Sequence, residues 1–109
     1  MFKIKLCITG LLFVQTIACK SQSKFTESIF EVKGVCGMCE NRIENALDLK
    51  GIKLADWDLE SKKLRVIYKN SMYTELEVHA ILAAVGHATD KVKVTKTAYD
   101  KLHKCCKYE

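Results

Sequence analysis

Two cysteines stand three positions apart in Gly34-Val35-Cys36-Gly37-Met38-Cys39, and the helical pattern ENRIENAL follows directly. Both thiols can face one point when the first lies in a loop and the second in the opening turn of a helix. The positive end of the helix dipole favours thiolate over thiol, and Gly34 and Gly37 allow the backbone to turn tightly. Such a pair can bind a soft metal ion, carry out redox chemistry or form a disulfide. A CxxC motif alone does not separate these functions.

The pattern of apolar residues on either side of this stretch predicts a strand, a helix and a hairpin. Alternation predicts a strand over 29–35, and an apolar stripe predicts a helix over 37–50 that ends at Gly51. Alternation returns over 52–59 and again over 64–68, with a short polar turn between them. These two segments therefore form a predicted β-hairpin.

A second helix is predicted to begin at a capping box formed by Thr74 and Glu77. It ends at Gly86, and residues 87–94 supply a short fourth strand. The order β-α-β-β-α-β predicts an α+β, ferredoxin-like fold, in which two helices cover one face of a four-stranded antiparallel sheet. The predicted buried face of the second helix consists of Val78, Ile81, Leu82 and Val85.

The first 18 residues have the pattern of a signal peptide. Lys3 and Lys5 form a short basic region, and the following uncharged apolar run is too short to span a bilayer comfortably. The run ends in Thr16-Ile17-Ala18-Cys19, which resembles a bacterial lipobox. Thr16 stands where Leu or Val is usual, so secretion with cleavage nearby remains an alternative. We expect an exported lipoprotein, lipidated at Cys19, anchored in the cell envelope and facing the periplasm.

The chain of 109 residues has room for one domain. Removal of the signal peptide lowers the net charge from +5 to +3, because two lysines leave with it. This charge is small and evenly spread, which argues against a nucleic-acid partner. The predicted division is a signal peptide over 1–18, a linker over 19–27, the folded domain over 28–94 and a cysteine-containing tail over 95–109.

Cys7 leaves with the signal peptide and Cys19 is expected to carry lipid, so the cysteines that remain free are Cys36, Cys39, Cys105 and Cys106. An even number in an oxidising compartment makes two disulfides an alternative to metal binding. Cys105 and Cys106 can join Cys36 and Cys39 in a four-sulfur site, which would favour Zn(II) or Cd(II). They can instead form a second delivery or acceptor site, or be disulfide-bonded or passive. The residues that can anchor the tail against the sheet are Tyr99, Leu102 and Tyr108.

Residues 28–92 resemble the heavy-metal-associated domain, the fold of small copper chaperones, periplasmic mercury-binding proteins and N-terminal modules of metal ATPases. The resemblance rests on Cys36-Gly37-Met38-Cys39, Ile43-Glu44-Asn45-Ala46-Leu47, Gly51-Ile52, Trp57-Asp58-Leu59, Val66-Ile67-Tyr68 and Val85-Gly86. It implies that Cys36 and Cys39 bind one soft metal ion. The family usually places a buried Met two positions before its first cysteine, whereas Met38 lies between the two here. The metal loop therefore needs another support, and Val35 is the candidate.

The resemblance also narrows the choice of metal. Two thiolates suit Cu(I) or Hg(II), and with further ligands Zn(II) or Cd(II). Resemblance and export together favour Cu(I), and zinc-selective relatives often carry a carboxylate where Val35 stands. His87 lies in a loop that is near the metal loop in the family's fold, so it is a candidate third ligand or a donor to the thiolates. His79 and His103 are weaker candidates.

The predicted function is capture of a soft ion and its transfer by thiolate exchange. Such transfer needs no catalytic group, so an enzyme is not expected. The resemblance implies a membrane metal transporter or efflux component as partner, and the lipid anchor implies contact with the membrane. The alternative is a thiol-disulfide redox protein or a structural disulfide domain. Thioredoxin-like enzymes need a cis-proline opposite their motif, however, and this chain contains no proline.

Overall fold

The computed structural model describes residues 24–109. The predicted signal peptide and the candidate lipidation site Cys19 lie outside the described residues. Within them, no helix is both long enough and apolar enough to cross a membrane. The elements in chain order are β1 (Phe25–Glu31), α1 (Gly37–Ala46), β2 (Ile52–Trp57), β3 (Lys63–Lys69), α2 (Glu75–Ala84), a short helix α3 (Lys96–Asp100) and a 3-10 turn (Lys104–Cys106).

The three strands form an antiparallel sheet in the order β1-β3-β2. Leu64 on the central strand lies opposite Phe30 of β1 and Trp57 of β2. All three side chains are buried, as are Val66 and Tyr68, which follow Leu64 at every second position of β3. Buried residues of α1 and α2 belong to the same apolar cluster. The α+β, ferredoxin-like architecture is therefore confirmed.

The fourth strand predicted over 87–94 is reduced to a single bridge between Val32 and Thr89. The chain turns immediately afterwards, because the Thr89 hydroxyl accepts hydrogen bonds from the backbone N–H groups of Lys91 and Val92. The N–H of Thr89 in turn donates to the Val92 carbonyl. This local turn uses the groups that a continuing strand would pair with β1. The sheet therefore has three strands, and the predicted short fourth strand does not extend beyond this bridge.

The helix ends agree in part with the predictions. The capping box is present, since Thr74 Oγ1 accepts from the Glu77 N–H at 3.1 Å and the Glu77 carboxylate accepts from the Thr74 N–H at 2.8 Å. Helix α1 ends at Ala46, earlier than the predicted end near Gly51. Of the predicted buried face of α2, Val78 and Leu82 are fully buried, whereas Ile81 and Val85 are partly buried.

His79 is fully buried on α2. Its ring stacks on Phe30, with 3.7 Å between ring centroids. One ring nitrogen faces the Thr89 hydroxyl, and the other lies 3.2 Å from the Glu75 carboxylate, which also contacts Lys91 at 3.2 Å. These contacts join α2 to β1 and to the turn at Thr89, so His79 has a structural role here.

The C-terminal tail folds back onto the domain. Leu102 is buried against Gly86, where an added Cβ would stand 2.8 Å from a Leu102 methyl group. The Tyr108 hydroxyl donates to the Gly86 carbonyl at 2.9 Å and accepts from the Ala88 N–H at 3.2 Å. Tyr99 packs edge-on against Tyr108, with 4.9 Å between centroids. The predicted residues therefore do anchor the tail, but the contacts of Leu102 and Tyr108 lie on the turn after α2, where the prediction had placed them on the sheet.

Candidate metal centre

The loop before α1 lies directly on the Trp57 ring. An added Cβ at Gly34 would stand 3.0 Å from two atoms of that ring and 3.1 Å from the Cys39 Cβ. The ring cannot easily retreat, because Trp57 Nε1–H donates to the Val32 carbonyl at 3.0 Å in a buried hydrogen bond. Trp57 thus supports the loop that carries Cys36, the role that a buried Met has in the family's usual pattern.

Val35 does not support the loop, contrary to the prediction. Its side chain is 42% exposed, and Met38 between the two cysteines is 45% exposed. The sequence favoured Val35 because it is the apolar residue next to Cys36, but the space beneath the loop is taken by Trp57. Gly37 has no heavy atom within 4 Å of its ideal Cβ position, and its φ is not positive. Close packing therefore requires glycine at Gly34 and not at Gly37.

Three thiol sulfurs converge at the start of α1. Cys36 Sγ lies 3.5 Å from Cys39 Sγ and 3.9 Å from Cys106 Sγ, and all three sulfurs lie within 4.8 Å of one another. All four cysteines of the described residues are free thiols. Cys105 Sγ does not lie within 4.8 Å of all three of these sulfurs; its side chain is exposed, and its thiol contacts Met38 Sδ at 3.7 Å as well as the Cys36 sulfur. Of the four sulfurs considered from the sequence, the fold brings three together.

A backbone donor at the helix start stabilises negative charge on the Cys36 sulfur. The N–H of Cys39 bonds the Cys36 sulfur, and this contact is the main reason that the pKa of Cys36 falls to about 7, against the opposing effect of desolvation. The N–H of Val35 donates to the Cys39 sulfur at 3.5 Å. Cys36 is therefore substantially ionised at neutral pH, which is the form that binds metal.

The two tail cysteines differ from Cys36 in their ionisation. Burial, followed by hydrogen bonds with Cys39 and Cys36, raises the pKa of the Cys106 thiol far above its usual range. A hydrogen bond with Cys36, with desolvation in second place, raises the pKa of Cys105. In the metal-free protein at neutral pH, both tail cysteines are therefore protonated thiols. A soft ion would replace the proton of whichever tail thiol binds it.

His87 is buried beside the loop, and its Nδ1 lies 2.7 Å from the Lys33 carbonyl. Because a carbonyl can only accept, Nδ1 carries the proton and Nε2 is an acceptor. Nε2 is buried without a hydrogen-bond partner among residues 24–109, and it lies outside the group of three sulfurs. Desolvation lowers the pKa of His87, so the ring is neutral. Its ligand role remains a prediction, whereas its bond to Lys33 supports the loop.

A second group of potential ligands consists of the carboxylates of Glu40, Glu44 and Asp56. Glu44 accepts a hydrogen bond from the Trp57 N–H at 3.0 Å, which joins α1 to the end of β2. The repulsion between Glu44 and Glu40 raises the pKa of Glu40. Hard oxygen ligands do not suit a soft ion, and this group has a structural explanation in the contact between α1 and β2.

Comparisons with known proteins agree with the fold. The family model described as "Heavy-metal-associated domain" matches residues 29–91. No curated protein sequence matches this chain significantly. Among solved structures, one described as "CopZ metallochaperone" is 27% identical with a TM-score of 0.55, over 59% of this chain and 98% of that one.

Two further solved structures share the fold. The N-terminal domain of the zinc(II) ATPase ZiaA in its apo form is 27% identical with a TM-score of 0.50, over 73% of this chain and 79% of that one. Oxidized MerP from Ralstonia metallidurans CH34 is 13% identical with a TM-score of 0.51, over 60% of this chain and 96% of that one. At that identity the likeness to MerP concerns the fold alone.

Proposed function

The chain belongs to the heavy-metal-associated domain family, and on that basis we propose that it binds one soft metal ion through Cys36 and Cys39 and passes it on by thiolate exchange. The observation that carries the proposal is the pair of sulfurs 3.5 Å apart at the start of α1. The lowered pKa of Cys36, about 7, supplies a thiolate at neutral pH. Binding and exchange need no catalytic group.

Cu(I) is the proposed cargo. The converging ligands are sulfur atoms, and soft thiolate ligands suit Cu(I). Val35 supplies no carboxylate beside Cys36, which disfavours a zinc site built from this loop alone. Zn(II), Cd(II) and Hg(II) are the competing ions, and the similarity to a domain of a zinc(II) ATPase makes Zn(II) the most informative comparison.

The surface around the site supports transfer to a protein partner. Val35 and Met38 are both more than two-fifths exposed on either side of Cys36. They form an apolar rim across which a partner's cysteine can approach the ion. We propose a membrane metal transporter or efflux component as the partner, supported by the similarity to a metallochaperone and to an N-terminal ATPase domain.

Export and lipid anchoring complete the proposal. They are supported by the basic and apolar segments of the first 18 residues and by Thr16-Ile17-Ala18-Cys19. An anchor at Cys19 would hold the domain at the cell envelope, facing the periplasm. The short polar segment that follows Cys19 would separate the domain from the membrane.

Anaerobic titration of the reduced full chain tests metal binding. Cys7 and Cys19 are replaced by Ser throughout, so that sulfurs outside the described residues cannot contribute. In competition with a Cu(I) chelator, we expect one tightly bound Cu(I) per chain. The double variant Cys36→Ser/Cys39→Ser should lose this binding, while the exposed thiol variant Cys105→Ser keeps it. Circular dichroism checks that each metal-free variant is folded.

Two results would contradict the proposal. Zn(II) bound more tightly than Cu(I) relative to their respective competitors would exclude Cu(I) as the cargo. Failure to bind either ion tightly, together with a disulfide between Cys36 and Cys39 that forms and reduces reversibly, would favour the thiol-disulfide alternative instead.

A further inference from the structure

We propose that the C-terminal tail supplies Cys106 as a third sulfur ligand to the ion held by Cys36 and Cys39. The site is then a three-sulfur centre that the folded tail closes, and Cys105 is outside it. This inference rests on the proposed function, because it concerns the same ion.

The distances between the sulfurs favour three ligands over two. With a metal–sulfur bond of about 2.3 Å, two sulfurs on opposite sides of an ion are about 4.6 Å apart. Three sulfurs in a plane around the ion are about 4.0 Å apart, and sulfurs at tetrahedral angles about 3.8 Å, from the same bond length. The 3.9 Å between Cys36 and Cys106 fits the last two arrangements. The 3.5 Å between Cys36 and Cys39 is about 0.3 Å shorter than the tetrahedral spacing and about 1.1 Å shorter than the linear one. The pair Cys36 and Cys39 alone is too close for linear coordination without movement.

The tail brings Cys106 to this point through contacts that involve no sulfur. Leu102 is buried against Gly86, and Tyr108 bonds the backbone on both sides of His87. The 3-10 turn between these two anchors contains Cys106, whose N–H donates to the His103 carbonyl at 2.8 Å. The position of Cys106 therefore follows from the packing of the tail, as expected for a preorganised ligand.

The two adjacent cysteines of the tail differ in their exposure to solvent. Cys106 is 0% exposed and belongs to the core cluster, whereas Cys105 is exposed. The Cys105 thiol contacts Met38 Sδ at 3.7 Å and also the Cys36 sulfur, but Cys105 Sγ does not lie within 4.8 Å of all three sulfurs of the group. The two residues thus form a matched pair for experiment, since they have the same chemistry, adjacent positions and different predicted roles.

X-ray absorption spectroscopy of the Cu(I)-loaded full chain counts the sulfur ligands directly. The background again carries Cys7→Ser and Cys19→Ser. We expect about three sulfurs per copper in this chain and in Cys105→Ser. In Cys106→Ser we expect two sulfurs with a shorter mean copper–sulfur distance. We also expect Cu(I) affinity to fall at least about 10-fold, the lower end of the loss seen even for residues that only support a ligand.

A second variant distinguishes the loss of a sulfur ligand from misfolding of the core. Cys106→Ala removes the sulfur without placing a hydroxyl group in the core, and it should show the same loss of one sulfur. Two sulfurs in the unsubstituted tail, or a third sulfur lost in Cys105→Ser and kept in both Cys106 variants, would overturn the inference. Absence of tight one-to-one Cu(I) binding before any tail substitution would instead contradict the proposed function.

Discussion

Gly34 and Gly37 lie on either side of Cys36, yet the structure needs only one of them to be glycine. Gly34 faces the rigid Trp57 ring at 3.0 Å, whereas the space around Gly37 is open. We expect Gly34→Ala to lower the free energy of unfolding by about 1–3 kcal/mol, because the added methyl group overpacks the loop. Gly37→Ala should change it by less than about 1 kcal/mol. Urea denaturation of the reduced, metal-free protein measures both, and equal losses would contradict the packing argument.

The ionisation of Cys36 provides a second test on a single residue. Because hydrogen bonding to the Cys39 N–H lowers its pKa to about 7, the thiolate fraction of Cys36 rises as the pH passes through that value. Its alkylation rate in the metal-free protein should rise with a midpoint near pH 7. Cys105, whose pKa is raised, should react slowly until the pH is well above neutrality. Mass spectrometry of the labelled peptides separates the two sites, and a common midpoint would contradict this assignment.

For single residues, local motifs could be predicted from the sequence, whereas tertiary contacts could not. The sequence identifies Cys36 and Cys39 because their spacing and the following helical pattern are local signals. It does not show that Gly34 packs on Trp57, since that contact forms only when β2 folds beside the loop. For the same reason the predicted support of the loop was Val35, which is next to Cys36 in the sequence. The observed support is Trp57, which is distant in sequence and close in space.

Among the elements, the tail is the one whose docking can be tested most directly. Tyr108→Phe removes the hydroxyl that bonds the Gly86 carbonyl and the Ala88 N–H. This loss should weaken docking by about 1–2 kcal/mol, which raises the population of undocked tail about 5- to 30-fold. Cys106 in the metal-free protein should then be alkylated faster by a similar factor.

Tyr73→Phe is the matched control for this experiment. It makes the same chemical change, but the Tyr73 hydroxyl donates to the carbonyl of Lys50, which is not part of the tail, at 2.8 Å. It should leave the alkylation of Cys106 unchanged. If Tyr108→Phe also had no effect, the hydroxyl contacts would not be what holds the tail.

The elements that were predicted well are those with local signals. The capping box at Thr74 and the alternation along β3 depend on residues within a few positions of one another. The fourth strand failed because the Thr89 side chain turns the chain after one bridge, which an apolar alternation pattern does not reveal. The docked tail has no repeating pattern either, and its position depends on a few contacts with the turn after α2.

At the scale of the whole molecule, the family and the pair of thiols could be predicted from sequence, but the third sulfur could not be assigned. The sequence left the roles of Cys105 and Cys106 open. The tail has no regular pattern of apolar residues, so its sequence does not show which of the two adjacent side chains faces the core. Folding separates them into one buried and one exposed thiol. The difference arises from anchors on both sides of the 3-10 turn, and these are tertiary contacts.

The contact between Cys36 and Cys106 also changes how the chain is connected. The two residues are 70 positions apart, and the segment between them contains α1, α2, α3 and the hairpin of β2 and β3. An ion bonded to both sulfurs closes nearly the whole domain into one ring, whereas an ion on Cys36 and Cys39 alone closes a ring of a few residues. The entropy lost on closing a ring grows with its length. A protein loaded in this way contains a covalently closed loop, and its tail cannot detach while Cys106 stays bonded to the ion.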